Sequence, residues 1–228
     1  MNSLSIIIPV LNEADQIETT LSPLIGNKDI EIIVVDGGSQ DKTVEIVQKL
    51  GIQVILCPQK AKGRALQMNL GASVATGEIL LFLHADTRLP EKYPEAITQT
   101  FCDPNVIAGA FELAIDGEEK SLRWIETMVK MRSRFLSLPY GDQGIFLKSS
   151  VFREMGGFAP MPIMEDFELI GRLKKRGKIF IVSQSVVTSG RRWQKLGVWR
   201  TTIINQMIII GYYLGISPTQ LAHWYRRK

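Results

Sequence analysis

Cysteine is scarce in this 228-residue sequence: Cys57 and Cys102 are the only two, far apart and without metal-ligand spacing. That excludes a disulfide framework and a thiolate metal site, and the expectation is a reduced, cytosolic chain with both thiols buried. No Gly-x-Gly-x-x-Gly follows the first apolar run, which argues against a dinucleotide site. Gly-x-x-x-x-Gly-Lys-Ser/Thr is absent too, which argues against a P-loop. There is no internal repeat and no low-complexity tract. The opening Met1–Val10 lacks a basic start and a cleavage site, so it reads as a first strand and not as a signal peptide. Thr201–Ile216 is strongly apolar but too short, and too polar at its start, to span a bilayer comfortably. The net charge of +4, concentrated late in the chain, suits phosphates or an anionic membrane face and is too mild to argue for nucleic acid.

The stretch around which the rest is organised is Gly77-Glu78-Ile79-Leu80-Leu81-Phe82-Leu83-His84-Ala85-Asp86-Thr87. Its apolar run predicts a strand buried on both faces, ending on His84 and Asp86. Thr87-Arg88-Leu89-Pro90 then leads toward a helix, so Asp86 is either a helix cap or part of a site. Before it, strands are expected at 5–10, 30–35 and 52–56. Helices should follow from Asn12–Asp15 and from Ser39–Gln40, with a third over 62–75 whose inward residues are Leu66, Leu70 and Val74. That rhythm means a mostly parallel sheet with helices on both faces. Later come a strand at 106–113, an amphipathic helix over 118–138, a short strand at 144–147 and a helix over 164–176. A strand at 179–182 closes the sheet. The division expected is one α/β domain over 1–195, with a nucleotide-binding front half (1–100) and a catalytic back half (101–195). A helical tail (196–228) follows. In that tail, Trp199, Tyr212, Tyr213, Trp224 and Arg226-Arg227-Lys228 suit an interfacial helix. A helix packed on the core or on a second subunit is the equal alternative.

Three strand ends, at Asn12-Glu13, Asp36 and Asp86, deliver polar groups to one edge, where open α/β sheets bind ligands. Lys60, Lys62, Gly63 and Arg64 at the start of the third helix make an anion site, or else a solvated charged face. One carboxylate, Asp86, can hold Mg²⁺ or Mn²⁺ together with substrate phosphates and water. Tyr140-Gly141-Asp142-Gln143-Gly144 is a sugar-binding loop or a plain turn. In Gly190-Arg191-Arg192-Trp193, two arginines can hold a diphosphate and Trp193 can stack on a ring. Glu165-Asp166 sits where acids are favoured at any helix start, so it is ordinary on its own.

The motifs resemble those of family 2 glycosyltransferases with the GT-A fold. Ser5-Ile6-Ile7-Ile8-Pro9-Val10-Leu11-Asn12-Glu13 is similar to that family's opening signature, and Val34 to Thr43 to its second. Lys62-Gly63-Arg64 to Asn69 and Gly77 to Asp86 follow in family order, and Leu-His-Ala-Asp-Thr resembles a small bacterial subgroup. The resemblance implies an inverting transfer of one sugar from a nucleotide-diphosphate sugar, a UDP-sugar as first guess, to an acceptor hydroxyl. Pro9, Asn12, Glu13, Asp36 and Gly37 would meet base and ribose. Lys62, Gly63, Arg64, Arg191 and Arg192 would lie near the phosphates, and Ala85 beside them. Asp86 would be the metal carboxylate. His84 stands where the family carries its first Asp, and would meet ribose or sugar instead. Asp166 would be the general base with Glu165 orienting it, and Gly141, Asp142, Gln143 and Trp193 would contact the acceptor. The Gln-x-x-Arg-Trp pattern of polymerising members is absent, which favours single transfer. The family does not name the acceptor; the apolar, aromatic-rich tail makes a lipid-linked one the first guess. The expected location is cytoplasmic, and the tail allows peripheral attachment to the inner membrane face or else a homodimer through the C-terminal helices. A nucleotidyltransferase making a nucleotide-sugar and a non-catalytic nucleotide-sugar-binding or membrane module are the alternatives.

Overall fold

The computed structural model describes residues 3–27, 29–58 and 63–226. The front half alternates strand and helix: β1 (Leu4–Val10), α1 (Ile17–Leu21), β2 (Ile30–Asp36), α2 (Thr43–Lys49), β3 (Val54–Leu56), α3 (Arg64–Val74) and β4 (Ile79–Phe82). Next come β5 (Thr87–Arg88), α4 (Tyr93–Thr100), β6 (Val106–Asp116), α5 (Lys120–Leu136), β7 (Ile145–Lys148), α6 (Ser149–Glu154), α7 (Glu165–Leu173) and β8 (Lys178–Ser189). The chain ends in α8 (Arg191–Leu196), α9 (Val198–Tyr213) and α10 (Pro218–Arg226). Among the described residues one eight-stranded sheet forms, in the order β3-β2-β1-β4-β7-β6-β8-β5. β3, β2, β1 and β4 run parallel. β7 runs antiparallel to both β4 and β6, and so joins the two halves without a linker.

Strand alternation sorts the core into two layers. Ile6, Ile8, Leu81 and Phe111 face α1, α2, α4 and α5, whereas Ile7, Leu80, Phe82 and Ala110 face α3, α6 and α7. A third cluster, Met164, Phe167, Ile208 and Leu221, packs α9 and α10 onto the start of α7. The C-terminal helices thus lean on the back half of the chain.

Several expectations need correction. Thr87-Arg88 opens no helix; it hydrogen-bonds to β8 as a short edge strand, so Asp86 caps nothing. The last strand runs on to Ser189 and lies inside the sheet, because β5 covers its outer edge. Of Leu66, Leu70 and Val74, expected to face inward on α3, Leu70 packs on the core while partly buried, and the fully buried face is another. Ala65, Gln67, Met68, Gly71 and Ala72 are buried, and Val74 is 49% exposed. Small residues face the sheet because the helix crosses it closely. The second helix starts at Thr43, after a loop tied by its own side chains. Cys57 is only half-buried and Cys102 is exposed.

Gly71 is where α3 approaches closest. A Cβ there would sit 2.5 Å from Ile7 Cγ2 and 3.1 Å from Val35 Cγ2, both on fully buried side chains. Alanine would gain about 1 kcal/mol of helix propensity and lose about 1–3 kcal/mol to overpacking. Gly71→Ala should therefore lower the unfolding free energy measured by denaturant titration, whereas Ser73→Ala on the exposed side of the same helix should not.

Candidate active site

The site lies across the carboxyl ends of β1, β2 and β4. The loops after β1 and β2 are laced together. Asn12 adopts a left-handed conformation (φ 55°), which Asn tolerates better than most residues. Its Oδ1 accepts from Gln40 N at 2.8 Å, and its own N–H donates to Ser39 Oγ at 2.9 Å. Glu13 N–H donates to Thr43 Oγ1 at 2.8 Å. Asp36 is buried and accepts from the N–H groups of Gly38 (2.9 Å) and Ser39 (3.1 Å). Beneath them Gln67, buried on α3, donates to Val10 O (2.8 Å) and Val35 O (2.9 Å). Val10 O also accepts from Gly37 N–H at 2.9 Å, so Gln67 ties the ends of β1 and β2 together where the two strands finish. Gly37 has no side chain because a Cβ would lie 2.9 Å from Gln67 Nε2.

The polar groups then fall into two linked clusters. In the first, Arg191 Nη2 donates to Glu13 Oε1 at 2.7 Å and lies 3.4 Å from Asp86 Oδ2. Residues 178 positions apart therefore meet over the strand ends. Burial raises the Glu13 carboxyl, Arg191 opposes that, and Asp86 and Asp41 add to it. In the second cluster Arg64, at the amino end of α3, pairs with Glu165 Oε1 at 3.1 Å. Its Nη1 also lies 2.9 Å from His84 Nε2. A guanidinium only donates, so Nε2 accepts and the imidazole is neutral with its proton on Nδ1. Burial and then the Arg64 charge push His84 down to about 3. Burial raises Glu165, with Arg64 opposing and Asp166 adding.

Met164, left-handed at φ 69°, turns the chain into α7, whose first turn holds Glu165, Asp166 and Glu168. Asp166 Oδ2 accepts from Gly141 N–H at 2.6 Å, and its Oδ1 from Phe167 N–H at 2.8 Å. Arg64, His84, Gly141, Glu165 and Asp166 line one cleft, floored by Met68, Phe82 and Phe158. The Tyr140–Gly144 loop is held from α5: Arg132 stacks 3.3 Å from the Tyr140 ring centroid and donates to Gln143 Oε1 at 3.1 Å.

Not every expected residue faces this cleft. Gln143 is fully buried and donates to Phe111 O at 2.8 Å, so it braces the loop and does not meet an acceptor. Ala85 is buried in the core, and its carbonyl accepts from Thr20. Trp193 packs against the main core with its Nε1 buried and unpartnered. Arg192 turns away from Asp86 and stacks 3.8 Å from the Tyr225 ring centroid on α10. Lys60 and Lys62 lie outside the described residues. Sequence reasoning missed Gln67, Arg132 and Tyr225. Only Gln67 had a signal, as a polar residue on the small-residue face of α3.

The Glycosyl transferase family 2 model matches residues 5–162. The chain belongs to glycosyl transferase family 2. Glu165 and Asp166 lie just beyond the matched span. The chain is 40% identical over 93 residues to a PGL/p-HBAD biosynthesis glycosyltransferase of Mycobacterium bovis, covering 38% of this chain and 36% of that protein. It is 25% identical over 193 residues to a poly-β-1,6-N-acetyl-D-glucosamine synthase of Staphylococcus aureus, covering 78% of this chain and 47% of that one. The chain thus spans between a third and a half of the curated relatives it matches. Among solved structures, mannosyltransferase PcManGT of Pyrobaculum calidifontis, in complex with GDP-Man and Mn²⁺, aligns with a TM-score of 0.70 at 19% identity, covering 98% of this chain and 68% of that one. S. aureus TarS with UDP-GlcNAc aligns at 0.67 and 18%, covering 82% and 58%. The family 2 chain shares the GT-A fold of these structures.

Asp142 offers a direct probe of the cleft. Burial lifts its carboxyl to about 6, with Arg132 opposing and Asp166 and Asp86 adding, and its Oδ1 is buried without a partner. A carboxyl raised on folding destabilises once it ionises in both states, so the cost grows from about pH 4 to pH 6 and then levels off. Asp142→Asn should leave stability unchanged near pH 3 and raise it above pH 6, by up to about 3 kcal/mol. Melting temperatures measured across pH read this; a pH-independent difference would mean that Asp142 is not ionising there.

Proposed function

We propose that this family 2 chain transfers one sugar from a nucleotide-diphosphate sugar to an acceptor hydroxyl, with inversion at the anomeric carbon. The observation that carries this reading is the Asp166 carboxylate. It is held by two backbone N–H groups at the head of α7, in the cleft that Arg64 and His84 line. Fixed hydrogen bonds aim a base at one position, and geometry is the first requirement for general-base catalysis. Asp166 accepts the acceptor hydroxyl's proton as that oxygen attacks the anomeric carbon, and the nucleoside diphosphate leaves with the bonding electrons. Glu165, anchored to Arg64, fixes the turn that presents Asp166. Asp142 and Gly141 meet the acceptor.

The laced loops at Pro9, Asn12, Glu13, Asp36 and Gly37 take the nucleoside, and Arg64 and Arg191 supply positive charge for the diphosphate. A uridine nucleotide is the first choice of base. Asp86 fits a divalent cation in a limited way. Its side chain is 22% exposed, but His84 Nε2 faces Arg64, and among the described residues no cluster of three or more His, Cys, Asp or Glu could hold a metal. One carboxylate suffices for Mn²⁺ or Mg²⁺ when phosphates and water supply the other ligands. Such an ion would neutralise charge on the leaving diphosphate. The mannosyltransferase PcManGT structure carries Mn²⁺ alongside GDP-Man, which supports the assignment.

The acceptor is lipid-linked in this reading, and the chain works at the cytoplasmic face of a membrane. We read residues 1–195 as the catalytic domain and 196–228 as a helical extension docked on it through the third core cluster. No helix among the described residues is long and apolar enough to cross a membrane.

A thermal-shift screen of nucleoside diphosphates with Mn²⁺, Mg²⁺ or EDTA should find one base that raises the melting temperature, because a ligand of the folded state stabilises it by mass action. Asp86→Ala should remove any metal-dependent part of that shift. Asp166→Asn should keep the shift and lose about 10²–10⁴-fold in kcat, as expected for removal of a general base. A variant that turns over as fast as the wild type would sink the assignment of Asp166. A wild type that binds donor and turns over none would favour a binding module.

A further inference from the structure

Two helices present apolar residues to solvent along one face each. On α5, Trp124, Met128, Met131 and Phe135 recur at helical spacing, and Phe135 is 82% exposed. On α9, Trp199, Ile203, Met207, Ile210 and Tyr213 do the same, each more than half exposed. The two faces adjoin. The Trp124 and Trp199 rings lie 5.6 Å apart near the start of both helices. At the far end Tyr213, the last residue of α9, meets the buried Phe167 at 5.5 Å, and Phe167 meets Tyr140, four residues past α5, at 6.0 Å. A joined apolar surface of this extent marks a docking site and not scattered exposure.

Charge identifies what docks. No Asp or Glu follows Glu168, while the 60 residues from Leu169 onward carry 12 Lys and Arg. The 168 residues before them carry 15 Lys and Arg against 23 Asp and Glu, so an acidic body ends in a basic segment. Basic side chains flank the apolar stripes: Arg200 follows Trp199, Arg123 precedes Trp124, and Lys174 reaches the last turn of α5, donating to Leu136 O at 2.7 Å. Of the nearby acids, Glu112 pairs with Lys130 and Arg134 and Glu126 with Arg123, which leaves the exposed Glu118 and Glu119 at the start of α5. A second copy would set the acid-free C-terminal segment against another of the same sign, with only Glu118 and Glu119 beside the face to pair. Lipid phosphates pair with it directly.

We propose that the joined α5–α9 face rests on an anionic bilayer surface. Its tryptophans lie at headgroup level, its aliphatic side chains enter the acyl boundary, and its basic residues lie on lipid phosphates. The proposal stands on this surface and not on the transfer chemistry. It does set the cleft beside the lipid, because Phe167 follows Asp166 and touches both Tyr212 and Tyr213.

Vesicle flotation of the full chain tests this. The chain should float with vesicles that contain phosphatidylglycerol, and binding should fall about tenfold or more with pure phosphatidylcholine or at high salt. Phe135→Ser combined with Ile210→Ser should weaken binding about tenfold while the melting temperature stays close to wild type, since both positions are exposed. Independently of any variant, tryptophan emission of the wild type should shift to the blue on these vesicles and be quenched by brominated acyl chains. Absence of wild-type binding, binding unchanged by the double substitution, or unmoved emission would each overturn the proposal. So would a concentration-dependent dimer in light scattering that the double variant abolishes, which would assign the face to a second copy.

Discussion

The ion pair between Arg64 and Glu165 holds the two halves of this molecule in register. Glu165 is only 5% exposed, and a carboxylate at that depth needs a fixed cation. Removing one partner of a buried pair typically costs about 3–5 kcal/mol, because the other charge stays behind; the half-exposed Arg64 puts the effect here at the low end. The pair joins the first residue of α3 to the first residue of α7, so the start of α3 and the Asp166 carboxylate beside Glu165 cannot shift independently. It also sets the state of His84. A guanidinium at 2.9 Å forbids a proton on the facing nitrogen, so this histidine enters the cleft as a neutral group.

The rest of the scaffold delivers Arg64 and Asp86 to that meeting point. β4 is buried on both faces, so its end is fixed by the core and not by surface contacts. Gln67 fixes the spacing between β1 and β2 on the side from which Arg64 projects, and Gly71 lets the helix approach closely enough for it. β7, antiparallel between β4 and β6, brings the Tyr140–Gly144 loop to the same edge, where Gly141 N–H meets Asp166. Gly141 is small for the same reason: a Cβ there would sit 3.0 Å from both Asp166 Oδ2 and His84 Nε2.

Local pattern made part of this legible. β-branched runs located β1 and β2, a continuous apolar run located β4, and a run of acids marked the head of α7, because burial and the helix dipole each leave a trace in the sequence. What stayed hidden depends on contacts across the fold. The inward face of α3 was misread because its apolar residues are large and lie to the side, while the closest contact uses Ala65, Gly71 and Ala72. Gln143 read as an acceptor contact, since a polar residue in a Gly-rich loop gives no sign that its amide is fully buried under Phe111 O. β5 read as the approach to a helix because two residues pairing with β8, about a hundred positions away, carry no period. The 118–138 segment reads only as amphipathic, because hydrophobic spacing is the same whether the covering surface is the core or something outside the chain.

The charges around the cleft bear on why a single metal carboxylate can suffice. Glu13 and Asp86 share Arg191, so in the free protein a guanidinium covers the carboxylates nearest the strand ends. A diphosphate brings further negative charge to the same place. In the proposed function Arg191 would turn toward it, and Glu13 and Asp86 would then lose the charge that screens them. Burial already raises Glu13, so leaving it uncovered beside Asp86 is costly. A divalent cation held by Asp86 would supply the positive charge that relieves both costs, with the donor's phosphates and water as its other ligands. Cation and donor should therefore bind cooperatively, each weakly alone. This coupling would let His84 replace a second carboxylate, because Arg64 supplies the positive charge on the opposite side and needs a neutral neighbour there.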